Sequence, residues 1–223
     1  SDRLINVHLS GHPPYGVAGF EGFAGLATDT QILDMVEQLV GPDIILWSTH
    51  LFCKAGTKGR EVPWHQDGQY WPIRPLATCS VWVALDNVDR GNGALRVLPG
   101  SHRKGDYDHH VDENPDLGLN QVVDPSQYDA SDAVYLELEA GQISLHDIHL
   151  VHGSAANDSG RRRAGLAMRY MPATSCLHRD REIRNAKFDW SQMPISLVRG
   201  ANRHDGNDFS AGHVCGDNVS LIE

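Results

Sequence analysis

Apolar residues recur at helical spacing in one clear segment of the chain, residues 30–40. Thr30 is expected to cap the first turn of this helix, and the pair Gly41-Pro42 is expected to end it. The apolar positions follow the i, i+3, i+4, i+7 spacing of an amphipathic helix: Ile32, Leu33, Met35, Val36, Leu39 and Val40.

After this helix the pattern changes to short apolar or alternating runs, separated by Gly, Pro, Asn and Asp. In the run 77–85 every second residue is apolar, which is typical of a half-buried strand. Short strands at this density predict a sandwich or barrel rather than alternating strands and helices. The candidate strands cover residues 44–53, 62–67, 77–85, 94–98, 133–138, 142–152 and 163–171.

Two segments stand outside this strand pattern. Residues 105–132 are polar and acidic, and we predict a long surface loop or lid there. Residues 202–223 are rich in Gly, Asn and Asp and are interpreted as a tail. A length of 223 residues fits one globular domain, so we predict a single domain over 1–223.

The composition excludes several classes of protein. A net charge of -10 repels a phosphate backbone, so no nucleic-acid partner is expected. The longest apolar run, 44–47, is too short to span a membrane, which predicts a soluble protein without a membrane partner. The four cysteines (Cys53, Cys79, Cys176 and Cys215) form no CxxC pair, so we expect free thiols and a cytoplasmic location.

Histidine is abundant, with 13 copies, and the pattern HxD occurs three times. The copies at 110–112 and 178–180 lie in charged segments and are expected to be solvated surface. His65 and Asp67 instead close a predicted strand, where residues two apart share a face. Both side chains can therefore reach one metal ion.

Two histidines and one carboxylate with open coordination positions form the facial site of non-haem Fe(II) oxygenases. A third ligand must then come from another segment, and the candidates are His146, His149 and His152. Strand alternation places His146 and His152 on one face and His149 on the other.

An arginine near this cluster predicts an anionic co-substrate. A hairpin with a four-residue loop at 156–159 would pair His152 with Arg163, which leads into an apolar run. A buried guanidinium needs an anion, and its planar fork suits a carboxylate. Ser154, on the same face as His152, offers a hydroxyl to that carboxylate. These residues describe a site for iron and a dicarboxylate such as 2-oxoglutarate.

Three stretches carry a resemblance to a known family. They are WHQDGQYWPIRP at 64–75, VWVALDNVDRGNGALRVLPGSH at 81–102 and VHGSAANDSGRRRAGLAMRY at 151–170. In this order they resemble the phytanoyl-CoA dioxygenase family of Fe(II)/2-oxoglutarate-dependent oxygenases, over roughly two thirds of the chain. Family members usually begin with a further helical segment, which is not found in this sequence.

The resemblance implies a mainly β fold, a double-stranded β-helix (jelly roll) with flanking α-helices. It matches His65, Asp67 and His152 to the iron ligands and Arg163 with Ser154 to the groups that hold the distal carboxylate of 2-oxoglutarate. Trp82 and His50 fall where the family places side chains that line the co-substrate. The implied reaction uses O2 to hydroxylate a C–H bond and releases succinate and CO2; the presence of Asp67 favours hydroxylation over halogenation.

The substrate is expected to be a small metabolite. Tyr70 and Trp71 follow the ligand strand and are candidates for the wall of its pocket, and Arg74 or Arg60 for binding an anionic group. Two alternatives stay open: a jelly-roll module that only binds metal, and a cupin-type enzyme that uses no keto acid. The oligomeric state is not predicted.

Overall fold

The computed structural model of the protein describes residues 4–10, 17–180 and 189–213. Its regular elements in these ranges are two α-helices and fourteen β-strands. The helices are α1 (Glu21–Ala27) and α2 (Thr30–Val40); the strands are β1 (Leu4–Ile5), β2 (Ile44–Lys54), β3 (Val62–His65), β4 (Ile73–Arg74), β5 (Cys79–Ala84), β6 (Leu95–Val97), β7 (His109–Val111), β8 (Gln121–Val123), β9 (Val134–Leu136), β10 (Ile143–Asp147), β11 (His152–Ser154), β12 (Arg163–Pro172), β13 (Cys176–Leu177) and β14 (Ser196–Arg199).

The strands pair in four sheets. The largest has the order β1-β2-β12-β5-β10, with β14 beside β2, and the second has the order β3-β11-β6-β9. Two small pairs, β13-β4 and β7-β8, complete the described sheets. The mainly β class predicted from the sequence is thereby confirmed.

The residue contacts divide the chain into two units. The first consists of 52–69 and 82–166, and the second holds the described residues of 2–51, 70–81 and 167–223.

Helix α2 begins and ends where the sequence predicts, but its cap is a different residue. Asp29 precedes the helix, and its Oδ1 accepts hydrogen bonds from the backbone N–H groups of Gln31 (2.9 Å) and Ile32 (3.2 Å). The expectation that Thr30 caps the helix is wrong, because Asp29 satisfies the free N–H groups of the first turn. At the other end Gly41 adopts a φ of 92° and ends the helix.

Helix α1 was not predicted from the sequence. It carries Gly22 and Gly25 in seven residues, and glycine lowers helix propensity by about 1 kcal/mol relative to alanine. A tertiary contact offsets part of this low helix propensity, because the Tyr170 hydroxyl donates a hydrogen bond to the Ala27 carbonyl at 3.0 Å.

In the first unit, the predicted strand 142–152 is two strands separated by a turn. Asp147 ends β10, and its Oδ1 accepts a hydrogen bond from the His149 N–H at 2.8 Å. The Leu150 N–H donates to the Asp147 carbonyl at 3.1 Å. This aspartate turn interrupts the strand, so the predicted continuous alternation from 142 to 152 is wrong.

The segment 105–132 is not the irregular loop expected from its polar sequence. It contains the hairpin β7-β8, and its two short 3-10 helices are Pro125–Gln127 and Ala130–Asp132. Tyr107 and Val123 belong to a buried cluster with Trp64, and the Tyr128 ring lies 5.7 Å from the Trp64 ring. A few apolar side chains in a polar segment therefore fix it onto the strand that carries His65.

In the second unit, β1 and β14 both pair with β2, and β13 pairs with β4. The predicted tail is held here in part. Arg203 pairs with Asp43 at 2.6 Å, and the Asn207 amide donates to the carbonyls of Ala173 and Ser175. Residues 214–223, including Cys215, lie outside the described ranges.

No helix within the described ranges has the length and apolar character needed to cross a bilayer. The three described cysteines are free; Cys79 and Cys176 are buried, and Cys53 is exposed.

Candidate metal and co-substrate site

Three predicted ligand residues converge in the first unit. His65 is the last residue of β3, Asp67 opens a 3-10 turn directly after it, and His152 opens β11, where it pairs with His65. One ligand atom from each of the three side chains lies within 4.8 Å of the others, and all three residues are buried. The three residues converge as the sequence predicts. Asp67 lies in the turn after the strand, so His65 and Asp67 do not come together by sharing one strand face.

The backbone sets which nitrogen of each histidine is presented. Nδ1 of His65 lies 2.8 Å from the Pro63 carbonyl, and Nδ1 of His152 lies 2.8 Å from the Leu150 carbonyl. A carbonyl only accepts, so each Nδ1 must carry the proton and donate it. Each Nε2 then keeps a lone pair, which is the form that binds a metal ion.

The spacing and charge of the group fit a divalent ion. Nε2 of His65 lies 3.7 Å from Oδ1 of Asp67. Two ligand atoms at about 2.1 Å from one ion are separated by about 3.0 Å at a right angle and by about 4.2 Å when opposite. Burial and the neighbouring His65 lower the pKa of His152 to about 3, so the imidazole is neutral at physiological pH.

His146 lies on the other side of the carboxylate. Its Nε2 is 3.8 Å from Oδ2 of Asp67, and its ring centroid is 4.9 Å from that of His152. It is buried, and its Nδ1 has no hydrogen-bond partner among the described residues. His146 therefore lies next to the candidate ligands Asp67 and His152.

The third candidate, His149, faces elsewhere. Its Nδ1 lies 3.2 Å from Oδ1 of Asp147 and its Nε2 lies 3.8 Å from Oδ1 of Asp106. It is not part of the metal-binding group found among the described residues. Of the three histidines left open by spacing, the geometry thus selects His152.

Gln66, between the candidate ligands His65 and Asp67, is hydrogen-bonded to other segments of the chain. Its amide nitrogen donates to the carbonyls of Gly105 (2.8 Å) and His149 (2.6 Å), and its amide oxygen accepts from the Tyr107 N–H (2.8 Å). Gln66 therefore has a structural role, because its side chain joins three backbone positions.

Arg163 is buried at the start of β12 with 4% of its surface exposed. Its guanidinium carbon lies 4.6 Å from the ring centroid of Trp82, which is also buried. Nε is buried and has no hydrogen-bond partner among the described residues. Burial lowers the pKa of Arg163 to about 10, so the group remains charged and requires an anion.

A glycine makes the stacking of Arg163 and Trp82 possible. Gly165 follows two residues after Arg163 on β12, and a Cβ at this position would overlap the Trp82 ring. Only a glycine lets the indole lie this close to the strand.

The hairpin that placed Arg163 beside His152 does not exist. β11 pairs with β3 and β6, whereas β12 belongs to the other large sheet, next to β2 and β5. The connection between them is organised by Asn157, whose amide nitrogen donates to the Arg161 carbonyl at 2.7 Å. The predicted register is therefore wrong. Arg163 is buried by the sheet that contains Trp82.

Ser154 is buried at the end of β11. Its neighbour Lys54, the last residue of β2, was not predicted as part of the site. Nζ of Lys54 donates to the carbonyls of Ser154 (3.2 Å) and Ala155 (2.5 Å). No sequence signal marks this lysine, because its partners are about 100 positions away in the chain.

The remaining candidates belong to the second unit. His50 and Trp71 are buried, and Tyr70 and Arg74 are half-buried. Trp71 packs edge-on against Trp47, with ring centroids 4.5 Å apart. Arg74 donates to the carbonyls of Ile73 and Trp71, so part of its guanidinium is used by its own segment.

The comparisons with known proteins agree on one family. A family model described as phytanoyl-CoA dioxygenase matches residues 16–165. Peroxisomal phytanoyl-CoA dioxygenase of Bos taurus is 35% identical over 149 residues, which cover 64% of this chain and 44% of the relative. A probable alpha-ketoglutarate-dependent hypophosphite dioxygenase of Stutzerimonas stutzeri is 28% identical over 173 residues, covering 77% of this chain and 57% of the relative.

A solved structure has the same fold. EctD from S. alaskensis, determined with bound Fe, is 26% identical with a TM-score of 0.61, and the match covers 79% of this chain and 58% of that chain. The predicted jelly-roll fold is thereby confirmed. The chain spans less than half the length of the bovine relative. Because the family model matches well over half of its residues, this chain belongs to the phytanoyl-CoA dioxygenase family.

Proposed function

We propose that this chain is the oxygenase domain, as a single domain, of an Fe(II)- and 2-oxoglutarate-dependent dioxygenase. The observation that carries the proposal is the buried group His65, Asp67 and His152, with both histidines oriented by backbone carbonyls. The bound Fe of EctD and the keto-acid dependence in the name of the Stutzerimonas relative support the same cofactors.

The protein's own residues divide the work. His65, Asp67 and His152 would hold the ion, Arg163 with Ser154 would hold the distal carboxylate of the co-substrate, and Trp82 would fix the guanidinium. When bound, the iron and 2-oxoglutarate supply the oxidation: one oxygen atom of O2 enters a substrate C–H bond as a hydroxyl, and the other enters succinate as CO2 is released. Burial of the group excludes water from this chemistry.

For the substrate we propose a small metabolite in a cytoplasmic setting. The named relatives act on molecules as different as phytanoyl-CoA and hypophosphite, so membership of the family does not define the substrate. The half-buried Arg74 stays our candidate for an anionic group of the substrate, with Tyr70 and Trp71 beside it in the chain. Arg60 is exposed and is the weaker candidate of the two arginines.

The test combines a spectrum with product analysis. Under anaerobic conditions, Fe(II) and 2-oxoglutarate together should give a weak visible charge-transfer band, which Asp67→Ala and His152→Ala should abolish. Succinate formation across a panel of small metabolites should then rise only with the true substrate.

A control variant and two contrary results complete this experiment. His149→Ala, beside the ligands in sequence but outside the group, should keep the band. Metal retention without a band would favour a module that only binds metal. Turnover without a keto acid would favour a cupin-type enzyme.

A further inference from the structure

Arg169 is a buried arginine of the second unit that lies against tryptophan rings. It belongs to β12, and only 9% of its surface is exposed. Its guanidinium carbon lies 5.0 Å from the ring centroid of Trp71 and 6.0 Å from that of Trp47. Cation–π contacts of this kind are strongest where the pair is shielded from water, so they hold the guanidinium in a defined place.

The two tryptophans belong to a larger aromatic group. The ring centroid of Trp47 lies 4.5 Å from that of Trp71 and 6.3 Å from that of Trp190, and all three side chains are buried. These three residues, here called the tryptophan group, come from separate segments of the chain. The group therefore forms only when the second unit is folded.

The polar groups that meet at Arg169 are hydrogen-bond donors without acceptor atoms. Nε1 of Trp47 is buried and has no hydrogen-bond partner among the described residues. An indole and a guanidinium both carry N–H groups and no acceptor. A buried guanidinium also needs a negative charge, because it has lost its hydration. A ligand with anionic oxygen atoms meets both needs.

The shape of the guanidinium favours a carboxylate among the anions. Its planar fork presents two parallel N–H groups, which match the two oxygen atoms of a carboxylate. The ring faces of the tryptophan group suit the apolar carbon skeleton that carries the carboxylate. Tyr70 and Arg74, on either side of Trp71 in the chain, are half-buried, so this segment reaches the surface of the unit.

We propose that Arg169 binds a carboxylate of the substrate and that the tryptophan group packs against the carbon skeleton of this small acid. The inference rests on the proposed function, in which Trp71 is a candidate for the wall of the substrate pocket, and extends it by naming the substrate class. Arg74 donates to the carbonyls of Ile73 and Trp71, whereas Arg169 lies against the Trp71 ring itself. Arg169 is therefore placed to bind the acid group.

Tryptophan fluorescence measures this binding without turnover, because the ligand would lie against the indoles. Protein loaded with Ni(II) is first saturated with 2-oxoglutarate, so that the keto acid already occupies the group at Arg163. It is then titrated with acetate, propionate and phenylacetate. The matched ligands are acetamide, propionamide and phenylacetamide, which have the same carbon skeletons and no charge.

At least one of the three acids should change the fluorescence and bind about 10- to 100-fold more tightly than its amide. This is the range expected for hydrogen bonds to a charged group. Such a preference requires a cation at the site, and a tryptophan group that only packs in the core would not produce it.

Three variants assign the preference to Arg169. Arg169→Met should weaken binding of the acid by the same factor and leave binding of the amide unchanged. Arg169→Lys keeps the charge but lacks the planar fork, so it should restore part of the affinity. Arg203→Met is the matched control, because Arg203 is an exposed arginine of the same unit that pairs with Asp43, and it should bind like the wild type.

Wild-type protein that binds the acids no more tightly than the amides would overturn the inference, whether or not the variants fold. The charge of Arg169 would then be balanced within the chain. Equal affinity of the wild type and Arg169→Met would also overturn it, as would a loss of binding in Arg74→Met alone.

The same titration separates this inference from the proposed function. Binding of 2-oxoglutarate to the Ni(II)-loaded protein is measured by calorimetry before the acids are added. If 2-oxoglutarate does not bind, the proposed function fails, and the inference fails with it. If 2-oxoglutarate binds and none of the acids does, only the substrate class is refuted.

Discussion

The close approach of Trp82 to Gly165 gives a sharp test of the co-substrate site. In Gly165→Ala the new methyl group would overlap the Trp82 indole, which is buried. The ring must shift or the strand must bend, and overpacking of this kind costs about 1–3 kcal/mol. A shifted ring also loses part of its contact with Arg163, which is worth about 2 kcal/mol for a desolvated pair.

We therefore expect Gly165→Ala to lower the free energy of unfolding by about 3 kcal/mol and to weaken 2-oxoglutarate binding. Trp82→Phe replaces the indole by a smaller ring and should make room for the methyl group. The double variant should then lose less stability than the sum of the two single variants, with a coupling of about 1–3 kcal/mol.

Urea unfolding followed by circular dichroism measures all four proteins of this cycle. Gly22→Ala is the control, because Gly22 lies in α1 with nothing within 4 Å of an added Cβ. It should stabilise the protein by about 0.5–1 kcal/mol through helix propensity. Additive losses in the cycle, or a Gly165→Ala protein as stable as the wild type, would show that the indole does not lie over this glycine.

Three further predictions follow from single side chains. Between about pH 7 and pH 10, Lys54 is neutral in the folded state and protonated in the unfolded state, so the unfolded state binds more protons. In urea titrations without ligand, the free energy of unfolding of the wild type relative to Lys54→Met should therefore rise by about 1.4 kcal/mol per pH unit. A difference that does not change with pH would contradict this. His146→Phe removes the imidazole beside Oδ2 of Asp67 and should weaken Ni(II) binding, measured by calorimetry, by about 10- to 100-fold. An unchanged Ni(II) affinity would show that His146 only packs in the core. Asp147→Ala should cost about 1 kcal/mol in urea unfolding, since it deletes the hydrogen bond that forms the turn after β10, whereas the exposed Asp132→Ala should cost nothing measurable.

The sequence predicts the candidate metal ligands from their residue types, whereas the backbone geometry expected for them differs from the structure. His65 and Asp67 were selected by strand alternation, yet Asp67 lies in a 3-10 turn. His152 was predicted to pair with Arg163 in a hairpin, but in the structure the strands that carry these two residues belong to different sheets. In both cases the residue types were informative while the predicted backbone path was wrong.

What the sequence could not reveal depends on contacts between distant segments. The contacts of Lys54 with the carbonyls of Ser154 and Ala155 span about 100 residues and have no motif. The turn at Asp147 is visible only as a single aspartate in an apolar run. The helix α1 contains two glycines, and its hydrogen bond from Tyr170 is fixed by the tertiary fold.

The three hydrogen bonds of the Gln66 side chain have a consequence for motion. They connect the residue between the candidate ligands His65 and Asp67 to the backbone at Gly105, Tyr107 and His149. An ion that immobilises His65 and Asp67 must therefore also damp fluctuations at the start of the 105–132 segment. Deuterium incorporation at residues 105–109 should slow when Ni(II) is added to the wild-type protein. In Gln66→Ala, added Ni(II) should leave deuterium incorporation at these residues unchanged.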